Sequence, residues 1–128
     1  MTPAEPIFTP DAPKPIGPYS QAIRSGEWLF CSGQGAMDPK TGTLVNDNVS
    51  VEAEQTLKNL GAVLRAAGFD YRDVVKVTIF LVDMKDFADV NVVYAKYFDE
   101  VKPARSTVAV RGLPLGIRVE IEAIARKK

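Results

Sequence analysis

Two acidic side chains and one basic one, all near the C-terminus, are the residues whose types and spacing best suit chemistry in this 128-residue sequence. Glu120 and Glu122 alternate with Val119, Ile121 and Ala123, and a strand sends successive side chains to opposite faces, so the two carboxylates share a surface. Such a pair can perform acid-base work beside a bound molecule. It can equally be a solvated or edge-guarding face balanced by Arg118. Arg105 follows Pro103-Ala104 and opens another strand. There its planar five-donor fork can clamp a carboxylate bidentately, or pair with one of the sixteen acids of the chain. Tyr19, after Gly17-Pro18, can turn its hydroxyl toward the same cleft or pack with a wet tip.

Composition removes most other chemistries. With no histidine, Ser-His and Cys-His nucleophiles and imidazole-built metal sites are excluded. Gly33-Gln34-Gly35 lacks the lysine of a phosphate loop and the strand-to-helix setting of a dinucleotide fingerprint. Cys31, the only cysteine, sits in the apolar run Leu29-Phe30-Cys31, where a thiol without a base is inert filling. No intrachain disulfide can form, which fits a reducing compartment. Sixteen basic and sixteen acidic residues cancel, so no overall field draws the chain to nucleic acid or an anionic membrane. The basic end Arg126-Lys127-Lys128 reads as a solvated tail. The first residues lack the pattern of a secretory signal, and no apolar run approaches the ~20 residues of a membrane span, so the expected location is cytoplasmic.

The elements that must position these residues follow from pattern. The length suits one domain over residues 1–128 with a single core. Residues 1–18 hold six of the nine prolines and form an extended N-terminal arm, since proline breaks helices. Ser20–Arg24 and Trp28–Ser32 read as strands joined at Ser25-Gly26-Glu27, and the breakers from Gly33 to Gly42 as an irregular loop with accessible amides. Ala53, Leu57, Leu60, Leu64 and Ala67 recur at helical spacing, with Gly68 placed to end the helix. Val74–Val82 suits a near-central strand. Asp83 can cap a second helix with Phe87, Val90, Tyr94 and Tyr97 on one stripe, stopping before Pro103. Arg105–Val110 and Arg118–Ala125 are the last strands, separated by a turn at residues 112–116. The order ββαβαββ predicts an α+β fold in which two helices cover one face of a sheet. Val77 and Ile79, taken with Val119, Ile121 and Ala123, imply apolar positions on both faces and hence oligomerisation.

Four segments in order, Ile16-Gly17-Pro18-Tyr19-Ser20-Gln21-Ala22, Cys31-Ser32-Gly33-Gln34, Pro103-Ala104-Arg105-Ser106 and Val119-Glu120-Ile121-Glu122-Ala123-Ile124-Ala125, resemble the RidA branch of the Rid (YjgF) family. Asp83-Met84-Lys85-Asp86-Phe87 with Val90-Asn91 and Tyr94 resembles its second-helix region, so the likeness runs nearly end to end. The resemblance implies a chorismate-mutase-like fold with one mixed β-sheet, two helices packed on one face, and a homotrimer with clefts between subunits. It implies no metal and no cofactor. The implied activity is a hydrolase's: 2-iminobutanoate/2-iminopropanoate deamination, in which 2-aminoacrylate, 2-iminobutyrate and related enamines and imines from pyridoxal-phosphate-dependent dehydratases become 2-keto acids and ammonia.

By the same resemblance Arg105 holds the substrate carboxylate and Glu120 orients water and handles the proton at the imine nitrogen. Tyr19, Gly33, Asn91 and Thr107 bind substrate or line the pocket. Thr107 stands where well-known bacterial members carry cysteine, and Gly35-Ala36-Met37 where an Ile-Pro pair is common, so both bear on selectivity. Two other readings compete: an endoribonuclease or translation inhibitor, which zero net charge and the lack of histidine support poorly, and a non-catalytic trimer that binds small carboxylates, against which Arg105 argues.

Overall fold

The computed structural model describes residues 3–128. Its elements are β1 (Glu5–Ile7), β2 (Ala22–Ser25), β3 (Trp28–Gln34), α1 (Val49–Ala66), β4 (Val74–Leu81), α2 (Phe87–Phe98), β5 (Ala104–Ala109) and β6 (Val119–Arg126). The strands form one six-stranded sheet in the order β1-β2-β3-β6-β4-β5. β4 and β5 run parallel, as their connection through α2 requires, and every other pairing is antiparallel. The sheet is therefore mixed, with the two helices sharing a core with one of its faces.

α1 forms where its spacing places it. Leu57, Leu60 and Leu64 are fully buried, each contributing about 1.5–3 kcal/mol of apolar burial. The Asn48 side chain accepts the Val51 N–H at 2.9 Å at the N-terminus. At the other end Gly68 takes φ +84° while Phe69 N–H reaches back to the Leu64 carbonyl at 2.9 Å, the closure expected of a helix-ending glycine. α2 departs from its expected form. Asp83 caps the short 3-10 turn Met84–Asp86 instead, accepting from Lys85 N–H, and the helix starts at Phe87. Its buried stripe is Val90, Val93, Tyr94 and Phe98. Phe87 is exposed and Tyr97 only half-buried, its hydroxyl donating to Glu54 on α1. A polar tip that reaches a neighbouring helix pulls an aromatic to the rim of the stripe.

The strands correct one further expectation and add to another. Gly33 lies inside β3, beside an irregularity in the pairing with β6 between Cys31 and Gln34, because β3 continues past Ser32 along β6. The proline-rich arm contributes β1, in which Pro6 stands opposite Ile23; proline is tolerated on an edge strand. The arm is then held by the buried Gln21 amide, which donates to the carbonyls of Thr9 (3.1 Å) and Pro13 (2.9 Å) and accepts Thr9 N–H at 2.7 Å.

Register decides which side chains share a face. Val77 stands opposite Ala123, and Ile79 opposite Ile121. These residues and Val119 thus lie on the helix-covered face and do not mark two apolar faces. The open face is apolar through other residues: Trp28, Phe30 and Val108 are 41%, 46% and 41% exposed, beside Phe80 and Ile124.

One charge pair locks α1 to the start of β6. The Glu52 carboxylate is fully buried, accepts Arg118 Nε at 2.8 Å and also takes the Arg118 backbone N–H. The guanidinium continues to the Asn46 carbonyl at 2.8 Å. A buried carboxylate must be neutralised, which draws Arg118 away from Glu120 and Glu122. Arg118→Ala strands the buried charge and should cost about 3–5 kcal/mol. Glu52→Gln, which keeps the shape and leaves Arg118 able to reach water, should cost about 1–3 kcal/mol. Denaturant midpoints at one protein concentration test the order; equal small losses would show a mere surface contact.

Candidate functional site

The six residues proposed for the site fall into two groups on opposite faces of the sheet. Arg105 pairs in register with Val77, and Thr107 with Ile79, so both point to the helix-covered face at the β5 edge. Glu120 pairs with Phe80 and points to the open face. With strands about 4.8 Å apart and residues about 3.3 Å apart along them, two strand spacings and three residues put the Arg105 and Glu120 backbones roughly 14 Å apart. One chain does not bring them together.

The first group is built by β5 and α2. Arg105 Nη1 donates to Asn91 Oδ1 at 2.8 Å, and its guanidinium lies 4.7 Å from the centre of the Tyr94 ring and 5.7 Å from that of Phe87. A neutral carbonyl and two ring faces orient the fork without neutralising it. No described carboxylate forms an ion pair with it, which sets aside the ordinary ion-pair reading. The Tyr94 hydroxyl and Thr107 Oγ1 are buried without a hydrogen-bond partner among the described residues. Burial pushes the Tyr94 hydroxyl above its ordinary pKa, with the Arg105 charge pulling the other way. Buried orphan hydroxyls beside an unneutralised cation suit a polar anion.

The second group surrounds Glu120. Its carboxyl lies against Gly33, where an added Cβ would stand 2.6 Å from Oε2 and 2.9 Å from Cγ. This approach is the reason a glycine is needed inside β3. Burial first, and the Glu122 charge second, raise its pKa above the ordinary 4.5. Glu120, Gly33 and Tyr19 line a pocket of about 190 Å³ whose other walls include Ile16, Met37 and Ile117. Ser32 fastens the Tyr19 segment by donating its hydroxyl to the Ser20 carbonyl at 2.6 Å.

Residue patterns did not single out Asn59, Tyr94 or Gln21 as parts of these structures. Buried Asn59 on α1 donates to the carbonyls of Gly35 and Met37, both at 2.8 Å, and so holds the loop that walls the Glu120 pocket. A signal existed: Glu52, Thr56 and Asn59 recur at steps of four and three beside the apolar stripe, a polar seam that a helix buries only where it has partners. Cys31 is buried and its thiol pushed up to about 12 by desolvation, in line with inert filling. Among the described residues no group of three or more histidines, cysteines, aspartates or glutamates is placed to hold a metal, and no helix is long and apolar enough to cross a membrane.

A mixed six-stranded sheet with two helices, carrying an unneutralised arginine at one edge and a partly buried glutamate on its open face, defines an α+β protein with sites suited to small charged molecules. The family profile described as Endoribonuclease L-PSP matches residues 9–127. A RutC family protein of Pyrococcus horikoshii is 55% identical over 124 residues, covering 97% of this chain and 98% of its own. The 2-iminobutanoate/2-iminopropanoate deaminase of Mus musculus is 52% identical over 119 residues, covering 93% and 88%. The crystal structure of E. coli TdcF with bound serine superposes with a TM-score of 0.92 at 41% identity, covering 97% and 99%. The chain belongs to the Rid (YjgF) family, to which this profile corresponds.

Two expectations follow from the Glu120 environment. A folded-state pKa above the unfolded value means that the folded protein binds the proton more tightly, so this group's contribution to stability falls as pH rises from about 4.5 through the folded pKa. Glu120→Gln should therefore be more stable than wild type at pH 7, with the gain vanishing near pH 3; denaturant midpoints across that range would read the opposite slope if the carboxylate were favourably paired. Gly33→Ala should displace the carboxyl while lowering stability by less than about 1.5 kcal/mol, because the atoms it meets belong to a flexible side chain. A crystal structure of that variant with Glu120 unmoved would refute the close-approach argument.

Proposed function

We propose that the protein is a hydrolase acting on reactive imines and enamines made from amino acids, a 2-iminobutanoate/2-iminopropanoate deaminase needing no cofactor, and that it works as a homotrimer of chorismate-mutase-like type. Relatives named deaminases at about half identity support the activity. The observation that carries the reading is the separation of an unneutralised Arg105 from a desolvated Glu120 on opposite sheet faces. A neighbouring copy docked on the exposed apolar face supplies the missing half, so each site takes Arg105, Asn91 and Thr107 from one subunit and Glu120, Gly33 and Tyr19 from the next.

The chemistry fits these groups. Arg105 holds the carboxylate of the iminium substrate bidentately, and the nearby hydroxyls of Tyr94 and Thr107 add donors. Glu120 orients a water whose oxygen adds to the imine carbon, and it takes a proton from that water. The proton then passes to the nitrogen of the resulting carbinolamine. The C–N bond breaks with its electron pair leaving on ammonia, while the carbinolamine hydroxyl gives its proton to Glu120 and becomes the keto-acid carbonyl; ammonia carries that proton away as ammonium. Because the substrate is already electrophilic, positioning and one acid-base group supply what the reaction needs. The raised pKa of Glu120 makes it a better base than an ordinary carboxylate near neutrality. RNA cleavage, the activity in the family description, has a chain of zero net charge without histidine to work with.

Keto-acid release is measured while a threonine dehydratase generates 2-iminobutanoate. Arg105→Ala should lose on the order of 100-fold in catalysed rate; an unimpaired variant would sink the mechanism. Arg105→Ala and Glu120→Ala, each inactive alone, should recover about a quarter of wild-type activity when co-assembled at equal amounts, since each mixed trimer rebuilds one site in three. No recovery in mixed trimers would place both groups in one chain's site.

A further inference from the structure

The pocket that holds Glu120 has an apolar lining that the deamination step does not use. Ile16, Met37, Leu44, Leu115 and Ile117 form it, and Lys14 with Glu120 are the charged groups of the pocket. The pocket measures about 190 Å³, and an aliphatic cavity of about 150 Å³ is large enough for benzene. A methyl or ethyl group leaves most of that space unfilled.

Leu115 is the residue of this wall whose conformation calls for a reason. Its φ of 61° and ψ of 15° are left-handed, in the turn Pro114–Gly116, and Gly116 follows at φ 71°. A branched side chain is disfavoured there by contact of its Cβ with the following backbone. Burial within its own chain does not compensate, because Leu115 is 55% exposed there. Strained residues of this kind gather at ligand sites. Ile16, on the arm and also in the pocket lining, is 69% exposed. Two large aliphatic side chains therefore line the pocket with little packing in their own chain.

We propose that Leu115 is a specificity-determining residue, which with Ile16 forms an apolar clamp for the side chain of the imine and directs the enzyme to imines of leucine-like amino acids over those of alanine. This rests on the deaminase reading above and adds the substrate side chain to it. Each methylene gained in an apolar pocket is worth about tenfold or more in kcat/KM, so the preference is measurable.

The imines are generated by an L-amino-acid oxidase, with catalase present, from leucine, alanine and glutamate, and keto-acid release is followed with wild type, Leu115→Gly and Leu115→Asn. Glycine and asparagine both tolerate the left-handed backbone, so folding is preserved, and a Tm no lower than that of wild type checks it. Wild type should favour the leucine-derived imine over the alanine-derived one by at least tenfold in kcat/KM. Both variants should lower that ratio by about tenfold, mainly through KM. A ratio near one in wild type, an unchanged ratio in both variants, or a leading glutamate-derived imine, as Lys14 would favour, overturns the clamp while leaving the deaminase reading intact. Absence of turnover with every imine overturns both.

Discussion

The Glu52–Arg118 pair governs where the chemistry can sit. Glu52 lies in the first turn of α1 and is sealed from water, so its charge is tolerable only with Arg118 against it. Arg118 stands one residue before β6, and the pair therefore sets where that strand enters the sheet and which side its residues face. Glu120 is two positions on. A slip of one residue would exchange Glu120 with Val119 or Ile121 and turn the carboxylate into the core. The same Glu52 begins the polar seam that continues through Thr56 to Asn59, and Asn59 carries the constraint to the loop at Gly35–Met37. One polar seam of α1 thus fixes both the floor and a wall of the pocket.

Much of this was legible in the residues. α1 followed from its apolar spacing and its terminal glycine because burial and backbone closure are local properties. β4, β5 and β6 followed from their run of β-branched residues and from breakers at their ends. The second helix was legible in existence, but it is shorter than the span from Asp83 to Pro103 and its stripe is rotated: aromatic residues with polar tips satisfy a helical pattern whether they are buried or at the rim, and Tyr97 takes the rim. Gly33 looked like a loop residue because glycine signals both turns and close approaches, and only the position of Glu120 distinguishes them.

The site was legible by residue and not by place. Arg105 and Glu120 stood out through their types and through family likeness, yet their faces depend on cross-strand register, which single-strand periodicity does not contain. Periodicity alone puts the apolar character of the second face at the wrong strand positions. Val77 and Ile79 share the core with Val119, Ile121 and Ala123, while Trp28, Phe30, Phe80, Val108 and Ile124 make the open face. Strand pattern points Arg118 at its neighbours on the same strand, because a buried acid sixty-six positions earlier leaves no mark near it.

The Gln21 amide has a consequence for binding thermodynamics. It ties the chain at Thr9 and Pro13 to the start of β2, so the span carrying Lys14, Ile16 and Tyr19 is a tether clamped at both ends. The entropy of closing that tether is lost when the domain folds, not when a ligand arrives. A proline-rich span between fixed points also has few alternative paths, so its side chains sample a narrow volume over the pocket. Recognition at this rim thus starts from a nearly ordered state, and the free energy of contact goes into selectivity between ligands.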